Sequence, residues 1–400
     1  MSAFLAKQPI FQDDLHVFGY ELLYRGPRIS AANGGAIATA RVMCDALSDI
    51  GLDRIVTDKQ VFINFDREML EQGAASLLPP DRSVVEILEH VEATPDVIDL
   101  VDELRTSGVK VALDDFAFQD WAIPLLTHVD FIKIDVLAHD GDVANVAAKL
   151  QLLDVPLIAE KVETRAQYRR CRDLGYRYFQ GYFFAKPETL SSNRIDSGQL
   201  VILQILAALQ QEDGTPNGVA RILARDVGLV HRLLKFANSA AIRRRRTLTS
   251  IADAIIVLGQ STMCRWASLI LLAQLGGNKP KELLTLALTR ARLCEQLSEL
   301  DSSMATSAFT VGLLSVLDAL LDRPMPVILR DLDLAPELAA ALLGDRAAPL
   351  GTLLGLVLDY EQGRWSDLDK SEHIKMTSSL ANSYVCALEF ARSVSDAGSK

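Results

Sequence analysis

Residues 111–120 read VALDDFAFQD, so two carboxylates, Asp114 and Asp115, stand side by side where a run of apolar and β-branched residues ends. Like charges repel and their desolvation costs free energy, so the pair needs either water or a cation. The pattern recurs along the first half. Strand-like runs occur at VFINF (61–65), VVEIL (84–88), VKVALDDF (109–116), FIKID (131–135), PLIAEKV (156–162) and YFQGYFF (178–184). Near their C-terminal ends they carry, in order, Asn64; Glu86 and Glu89; Asp114 and Asp115; Lys133 and Asp135; Glu160 and Glu163; and Gln180. One such residue reads as a helix cap or a surface charge. The same chemical class at the same end of successive runs reads as a site. Glu21, Asn64, Glu86, Asp114, Asp115 and Glu160 are hard oxygen donors without Cys or His, a set that suits Mg²⁺ or Mn²⁺ and not zinc. Adjacent aspartates can share two cations, and paired cations lower the pKa of a water and clamp an in-line phosphoryl transfer. Lys133 is suited to steering that water or to neutralising charge on the phosphorane.

Such residues need a scaffold that gathers strand ends. Helix-like stretches at 96–106, 143–153 and 164–174 separate the runs, and this alternation predicts a parallel α/β fold. An open doubly wound sheet would carry a glycine-rich phosphate loop after its first strand, and none is present. A (β/α) barrel fits better, with its chemistry at the C-terminal strand ends. The stretch AKPETLSSNRIDSGQ (185–199) loses the alternation and reads as a linker. Beyond it, Leu223, Val227, Val230, Leu234 and Ala237 share one helical face, Gly228 marks a break, and SIADAIIVLG opens on a Ser250 cap and stops at Gly259. The last stretch, polar and small, is expected to fray. The expected organisation is an α/β barrel over 1–190 and an all-α domain over 191–400.

The chain has 400 residues, enough for two domains, each able to bury a core at 49% apolar content. Its net charge of −11 lies wholly in residues 1–200, with 20 Lys+Arg against 31 Asp+Glu. That disfavours non-specific nucleic-acid binding and is compatible with a carboxylate cluster, surface acidity being the commoner cause. No apolar run reaches the roughly 18 residues of a membrane span, and MSAFLAKQPI turns polar too soon for a signal peptide. The five cysteines form no CxxC pair, which reads as reduced thiols in a cytoplasm. The RRRR run at 243–246 reads as a solvated loop or a partner contact, His231 as structural or surface, and Asn238-Ser239 as a cap or turn. Trp121 reads as a barrel-surface or core residue, and His90 as a surface residue or one behind the ligands.

The ordered motifs carry a resemblance. AKQPIFQDDLHVFGYELLYRG, with Glu21-Leu22-Leu23 where the family has Glu-Ala-Leu, resembles the opening of EAL-domain cyclic di-GMP phosphodiesterases. The likeness continues through Asn64, Glu86-Ile-Leu-Glu89, Asp114-Asp115-Phe116, Lys133-Ile-Asp135, AEKVET (159–164) and QGYFFAKP (180–187), covering about residues 3–190. It implies an EAL (β/α)-type barrel with an irregular first strand. It also implies two Mg²⁺ or Mn²⁺ ions on Glu21, Asn64, Glu86, Asp114, Asp115 and Glu160, with Lys133, Asp115 and Glu160 catalytic. Gln8, Arg25, Gln180 and Pro187 would contact cyclic di-GMP, and Glu89 and Glu163 would brace the loop after Asp115. Two departures stand out. Ala117-Phe118-Gln119 replaces the family's Gly-Thr-Gly, whose glycines reach conformations other residues adopt at a cost. Asp66 replaces a Ser. The implied function is hydrolysis of cyclic di-GMP to linear pGpG; the alternative is a silent cyclic di-GMP-binding effector or adaptor.

The second half resembles an HDOD domain through ILARDVGLVHRLLKFANSAAIRRRRTLTSIADAIIVLG (222–259) and AFTVGLLSVLDALL (308–321). Ser315-Val316 stands where the related HD hydrolases carry a metal-binding His-Asp, and those side chains cannot replace an imidazole and a carboxylate. The resemblance therefore implies a non-catalytic, metal-free interaction domain with a protein partner, a possible homodimer, and no membrane or nucleic-acid partner.

Overall fold

The computed structural model describes residues 4–25, 52–139, 142–187, 197–211, 216–241, 248–277, 279–298, 304–330, 332, 334–364 and 380–398. Eight strands close a barrel in chain order: β1 (Phe4–Gln12), β2 (Val17–Arg25), β3 (Gln60–Phe65), β4 (Ser83–Ile87), β5 (Lys110–Leu113), β6 (Phe131–Asp135), β7 (Leu157–Glu160) and β8 (Tyr178–Gln180). Strand β1 runs antiparallel to both β2 and β8, and every pairing from β2 round to β8 is parallel. The expected barrel is therefore present, with the irregularity of its first strand made concrete as an inverted β1.

Side chains two apart on a strand share a face. Phe62, Val84, Ala112, Phe131 and Ile158, with Ile10, form a buried cluster inside the barrel, with Phe18 and Tyr178 against it. Gly19, paired with Ile10 across the hairpin, leaves room for the Phe62 ring, because a Cβ there would meet Gln60 O at 2.8 Å and Phe62 Cε2 at 3.1 Å. Two residues further along the same strands stand Asn64, Glu86, Asp114, Lys133, Glu160 and Gln180. The barrel thus carries an apolar layer with a polar layer directly on it, nearer the C-terminal mouth.

Strands β5, β7 and β8 are shorter than the runs read from sequence, and the backbone shows why. Asp115 (φ 41°), Lys161 (φ 54°) and Gly181 (φ 140°) leave the extended region just beyond β5, β7 and β8. The helices Pro95–Thr106, Val143–Leu150 and Arg165–Asp173 fill the expected intervals, the last opened by a reciprocal cap between Thr164 and Gln167.

The chain divides into two compact units, 1–184 with 359–389, and 185–358 with 390–400. The expected boundary at 190 assigns residues 359–389 to the helical half, whereas the described ones among them, 359–364 and 380–389, group with the barrel. Tyr360 Oη donates to Leu5 O at 2.6 Å and accepts from Leu5 N at 3.1 Å. Tyr384 Oη accepts from Lys7 N at 3.4 Å, and Tyr182 Oη donates to Glu361 O at 3.0 Å. Tyr360 and Tyr384 are both buried. The helix Leu380–Gly398 also corrects the expected fraying, since its buried residues, Tyr384 among them, hold it in place.

The described elements of the second unit are all helices. Its helices include Val227–Ala241, Ile251–Leu258, Lys281–Leu297 and Ala305–Leu314. Ser250 caps the second of these by accepting from Asp253 N at 3.0 Å, and Gly259 ends it at φ 88°. The break expected at Gly228 comes earlier, where Asp226 Oδ1 accepts from Leu229 N at 2.9 Å and starts the helix with Gly228 inside it. Asn238 is not a terminal cap; from within its helix it accepts from Leu248 N at 2.7 Å and donates to Leu248 O at 2.9 Å. His231 is exposed, and 243–246 lie outside the described residues. The linker reading of 185–199 is shortened at its far end, where a helix begins at Ser197, and 188–196 are outside the described residues.

Gly181 offers a test of how the mouth is built. Its φ is 140°, and an added Cβ would lie 2.1 Å from Val162 O, while Val162 N donates to Gln180 O and Phe183 N to Val162 O. Gly181→Ala should lower the unfolding free energy by well over ~1 kcal/mol in chemical denaturation, since backbone must move. Gly73→Ala, at φ 65° with nothing within 4 Å, should cost ~1 kcal/mol or less.

Candidate functional site

Lys133 is the centre of the polar layer. Its Nζ lies 2.7 Å from Glu86 Oε1, 2.7 Å from Glu160 Oε1, 2.9 Å from Asp114 Oδ1 and 3.3 Å from Glu21 Oε2. A chain of amides surrounds it. Gln180 Nε2 donates to Glu21 Oε2 at 2.6 Å and to Gln8 Oε1 at 2.9 Å, and Asn64 Nδ2 donates to Glu21 Oε1 at 2.8 Å. The fold places these groups by register: Gln8 opposes Glu21 across β1–β2, and Asn64 opposes Glu86 across β3–β4. Lys133, Glu86, Glu21, Glu160 and Gln180 are all buried.

One ammonium does not balance four carboxylates at low dielectric. Burial and the charge on Glu21 push Glu86 well above the ordinary carboxyl value. Burial likewise raises Asp114, against the pull of Lys133, and lifts Glu160 to about 8. Glu21 goes the other way: burial opposes its charge, but Lys133 and the amides of Gln180 and Asn64 hold it below the usual range. Burial also opposes the charge on Lys133, and Glu160, Glu21, Glu86 and Asp114 together hold it well above the usual lysine value. The cluster is therefore short of positive charge.

The donor chemistry fits a hard divalent cation. The side-chain oxygens Asn64 Oδ1, Glu86 Oε2 and Gln180 Oε1 are buried without a hydrogen-bond partner. Among the described residues no three His, Cys, Asp or Glu side chains stand ready as a metal cage, because the carboxylates are drawn onto Lys133. A cation would have to share them with that ammonium.

The adjacent aspartates part company. Asp114 turns inward to Lys133. Asp115 lies on the rim, where Lys161 Nζ approaches its oxygens at 3.4 and 3.3 Å and Asp135 Oδ2 at 2.5 Å. Each aspartate meets a different lysine, Asp114 meeting Lys133 and Asp115 meeting Lys161. Lys161 escaped sequence reading, although its position next to Glu160 at a strand end was the available signal. In the loop after Asp115, the left-handed residue is Phe118 (φ 56°), not Ala117 or Gln119. Its ring packs on Phe116 at 5.1 Å and under Lys149 Nζ at 5.0 Å, so the glycine-favouring position is occupied by an anchored aromatic.

Of the remaining expected residues, Arg25 ends β2 with its side chain outside the described residues, and Pro187 is half-buried. Glu89, Glu163 and His90 are exposed, and Trp121 is half-buried. Asp66 caps the helix Arg67–Glu71 by accepting from Met69 N at 2.8 Å. In the helical unit Ser315 Oγ donates to Gly312 O at 2.7 Å and accepts from Arg290 Nη1 at 3.2 Å, while Val316 is buried. Cys171, Cys264, Cys294 and Cys386 are not joined in disulfides, and Cys44 lies outside the described residues. No described helix is long and apolar enough to cross a membrane.

The family model for the EAL domain matches residues 54–187, and that for the HDOD domain matches 197–321. A Vibrio cholerae protein named cyclic di-GMP phosphodiesterase CdgJ is 32% identical over 377 residues, covering 92% of this chain and 87% of its own length. The chain belongs to the EAL–HDOD family. A Bacillus subtilis relative, the uncharacterized protein YuxH, is 30% identical over 99% of this chain and 100% of its own length. Among solved structures, the PaMucR phosphodiesterase in complex with c-di-GMP aligns at 22% identity and a TM-score of 0.37, covering 46% of this chain and 95% of that one. The EAL match stops short of β1 and β2, so the hairpin that supplies Gln8 and Glu21 to the site in the EAL barrel is located by the barrel itself.

The raised carboxyls give a signed pH dependence. Glu160 moves from 4.5 to about 8, so the folded chain keeps a proton that the unfolded chain has lost. Its contribution to stability is greatest below 4.5 and is lost as the pH rises towards 8. In EDTA, the Tm of the wild type should therefore fall between these values relative to that of Glu160→Gln. Parallel Tm curves for the two proteins would contradict this assignment.

Proposed function

We propose that the EAL domain hydrolyses cyclic di-GMP at the mouth of its barrel, opening one phosphodiester to give linear pGpG. The observation that carries this reading is the polar layer itself, in which Lys133 gathers Glu21, Glu86, Asp114 and Glu160 at the C-terminal strand ends. On this reading Glu21, Asn64, Glu86, Asp114, Asp115 and Glu160 hold Mg²⁺ or Mn²⁺, which when bound supplies Lewis-acid polarisation of the phosphoryl group and a lowered pKa for water. Lys133 offsets negative charge as the phosphorus becomes five-coordinate. Glu160, with Oε1 2.7 Å from Lys133 Nζ, orients the attacking water together with that lysine. Gln180 and Gln8, already hydrogen-bonded to each other, position the ligand's polar edge, and Arg25 and Pro187 complete the contact. Glu89 and Glu163 brace the turn that carries Asp115.

The HDOD domain is the interaction module of this proposal, with a protein partner and possible homodimerisation. The commitment of the Ser315 hydroxyl to Gly312 and Arg290 and the burial of Val316 support a packing role where a hydrolase would carry metal ligands. The receptor alternative draws on one observation, the capture of Asp115 by Lys161.

The deciding experiment incubates the full chain with cyclic di-GMP and Mg²⁺ or Mn²⁺ and resolves products by chromatography. Linear pGpG should accumulate, EDTA should abolish it, and Lys133→Met should reduce kcat by about 10²-fold or more. Metal-supported binding without any product would instead favour the receptor reading.

A further inference from the structure

Lys161 sits where no charge-neutral explanation suffices. It follows Glu160 directly, adopts a left-handed backbone (φ 54°) that non-glycine residues rarely take, and spends its side chain on the rim. Its ammonium bridges Asp115 and Asp135, and Asp135 is fixed in turn by accepting from Leu137 N at 2.8 Å and Ala138 N at 3.0 Å. Asp115 is itself left-handed at φ 41°. Two strained residues on separate turns are thus held facing each other by one ion pair. The inner carboxylates meet a different ammonium, that of Lys133. The site therefore has two cationic positions, each filled by a lysine of this chain, and they differ in kind. Lys133 is fully enclosed, whereas the Lys161 side chain is 51% exposed and reaches in from the solvent side.

We propose that Lys161 is a built-in counter-ion that competes with a second divalent cation for Asp115, so that the site loads one cation tightly and a second only weakly. This rests on the metal-binding reading given above. The first cation draws on Glu21, Asn64, Glu86, Asp114 and Glu160, none of which Lys161 touches among its described ion pairs. A second must use Asp115, and to do so it must break the Lys161 pair and then tolerate an ammonium close by. The chemistry favours release at high cation concentration, because Lys161 is partly exposed and can leave Asp115 while still paired to Asp135.

The test counts Mn²⁺ by electron paramagnetic resonance, with calorimetry for affinity and no substrate present. Wild type should bind one Mn²⁺ tightly and a second more weakly. Lys161→Gly, which also suits the left-handed backbone, and Lys161→Met should each tighten the second site by about five- to tenfold, the size expected for releasing a partly exposed ion pair and removing a like charge. Lys161→Arg should behave as wild type. Two equally tight sites in wild type, or no tightening in either Lys161→Gly or Lys161→Met while one tight site persists, would overturn the counter-ion role and leave the metal-binding reading standing. No Mn²⁺ bound by any of these proteins would overturn both.

Discussion

The burial of the Lys133 ammonium against four carboxylates constrains everything else in the barrel. A lysine 1% exposed is tolerable only with partners on every side, and those partners tolerate one another only through it. That condition fixes which residue of each strand faces inward. It demands that Glu21, Glu86, Asp114, Lys133 and Glu160 come level with one another wherever their strands end, and that the layer beneath be apolar and tightly filled so that water does not enter from below. Phe62, Val84, Ala112, Phe131 and Ile158 meet the last requirement two residues before their polar counterparts. Removing one carboxylate from such a cluster relieves repulsion, whereas removing the lysine leaves four buried groups that must take up protons or cations.

This two-residue step is why so much of the site is legible in the sequence. Apolar runs ending in Asn, Glu, Asp, Lys or Gln encode both the strand and the direction of its functional end, and the parallel barrel turns that one-dimensional rule into a ring. Gln8 and Glu21 are less visible, because β1 enters inverted and the local pattern of a hairpin does not announce its orientation. Lys161 is less visible still. Its importance comes from where its side chain reaches, across to Asp115 and Asp135 on other turns, and a lysine beside a glutamate carries no local mark of that. The substitution at 117–119 illustrates the same limit: sequence shows that glycines are missing, but only the backbone shows that the demanding position is Phe118.

The rim concentrates conformations that cost free energy. Asp115, Phe118 and Lys161 are all non-glycine residues at positive φ, and each is held by a side-chain contact: an ion pair for two of them, aromatic packing for the third. The inner layer, by contrast, is built from extended strand residues. The EAL barrel therefore pairs a rigid charged floor with a rim whose geometry depends on a small number of partly exposed contacts, and salt should loosen the rim before the floor.

The clasp of Tyr360 on Leu5 has its own consequence during synthesis. The two residues are 355 positions apart, and most of the helical unit, residues 185–358, lies between them. A ribosome therefore completes those helices before it delivers the residues that close hydrogen bonds on β1, the strand that seals the barrel between β2 and β8. Nascent barrel chains therefore wait with a strand short of its last partners, and an unpaired strand edge is open to association with other chains for as long as the helices take to emerge.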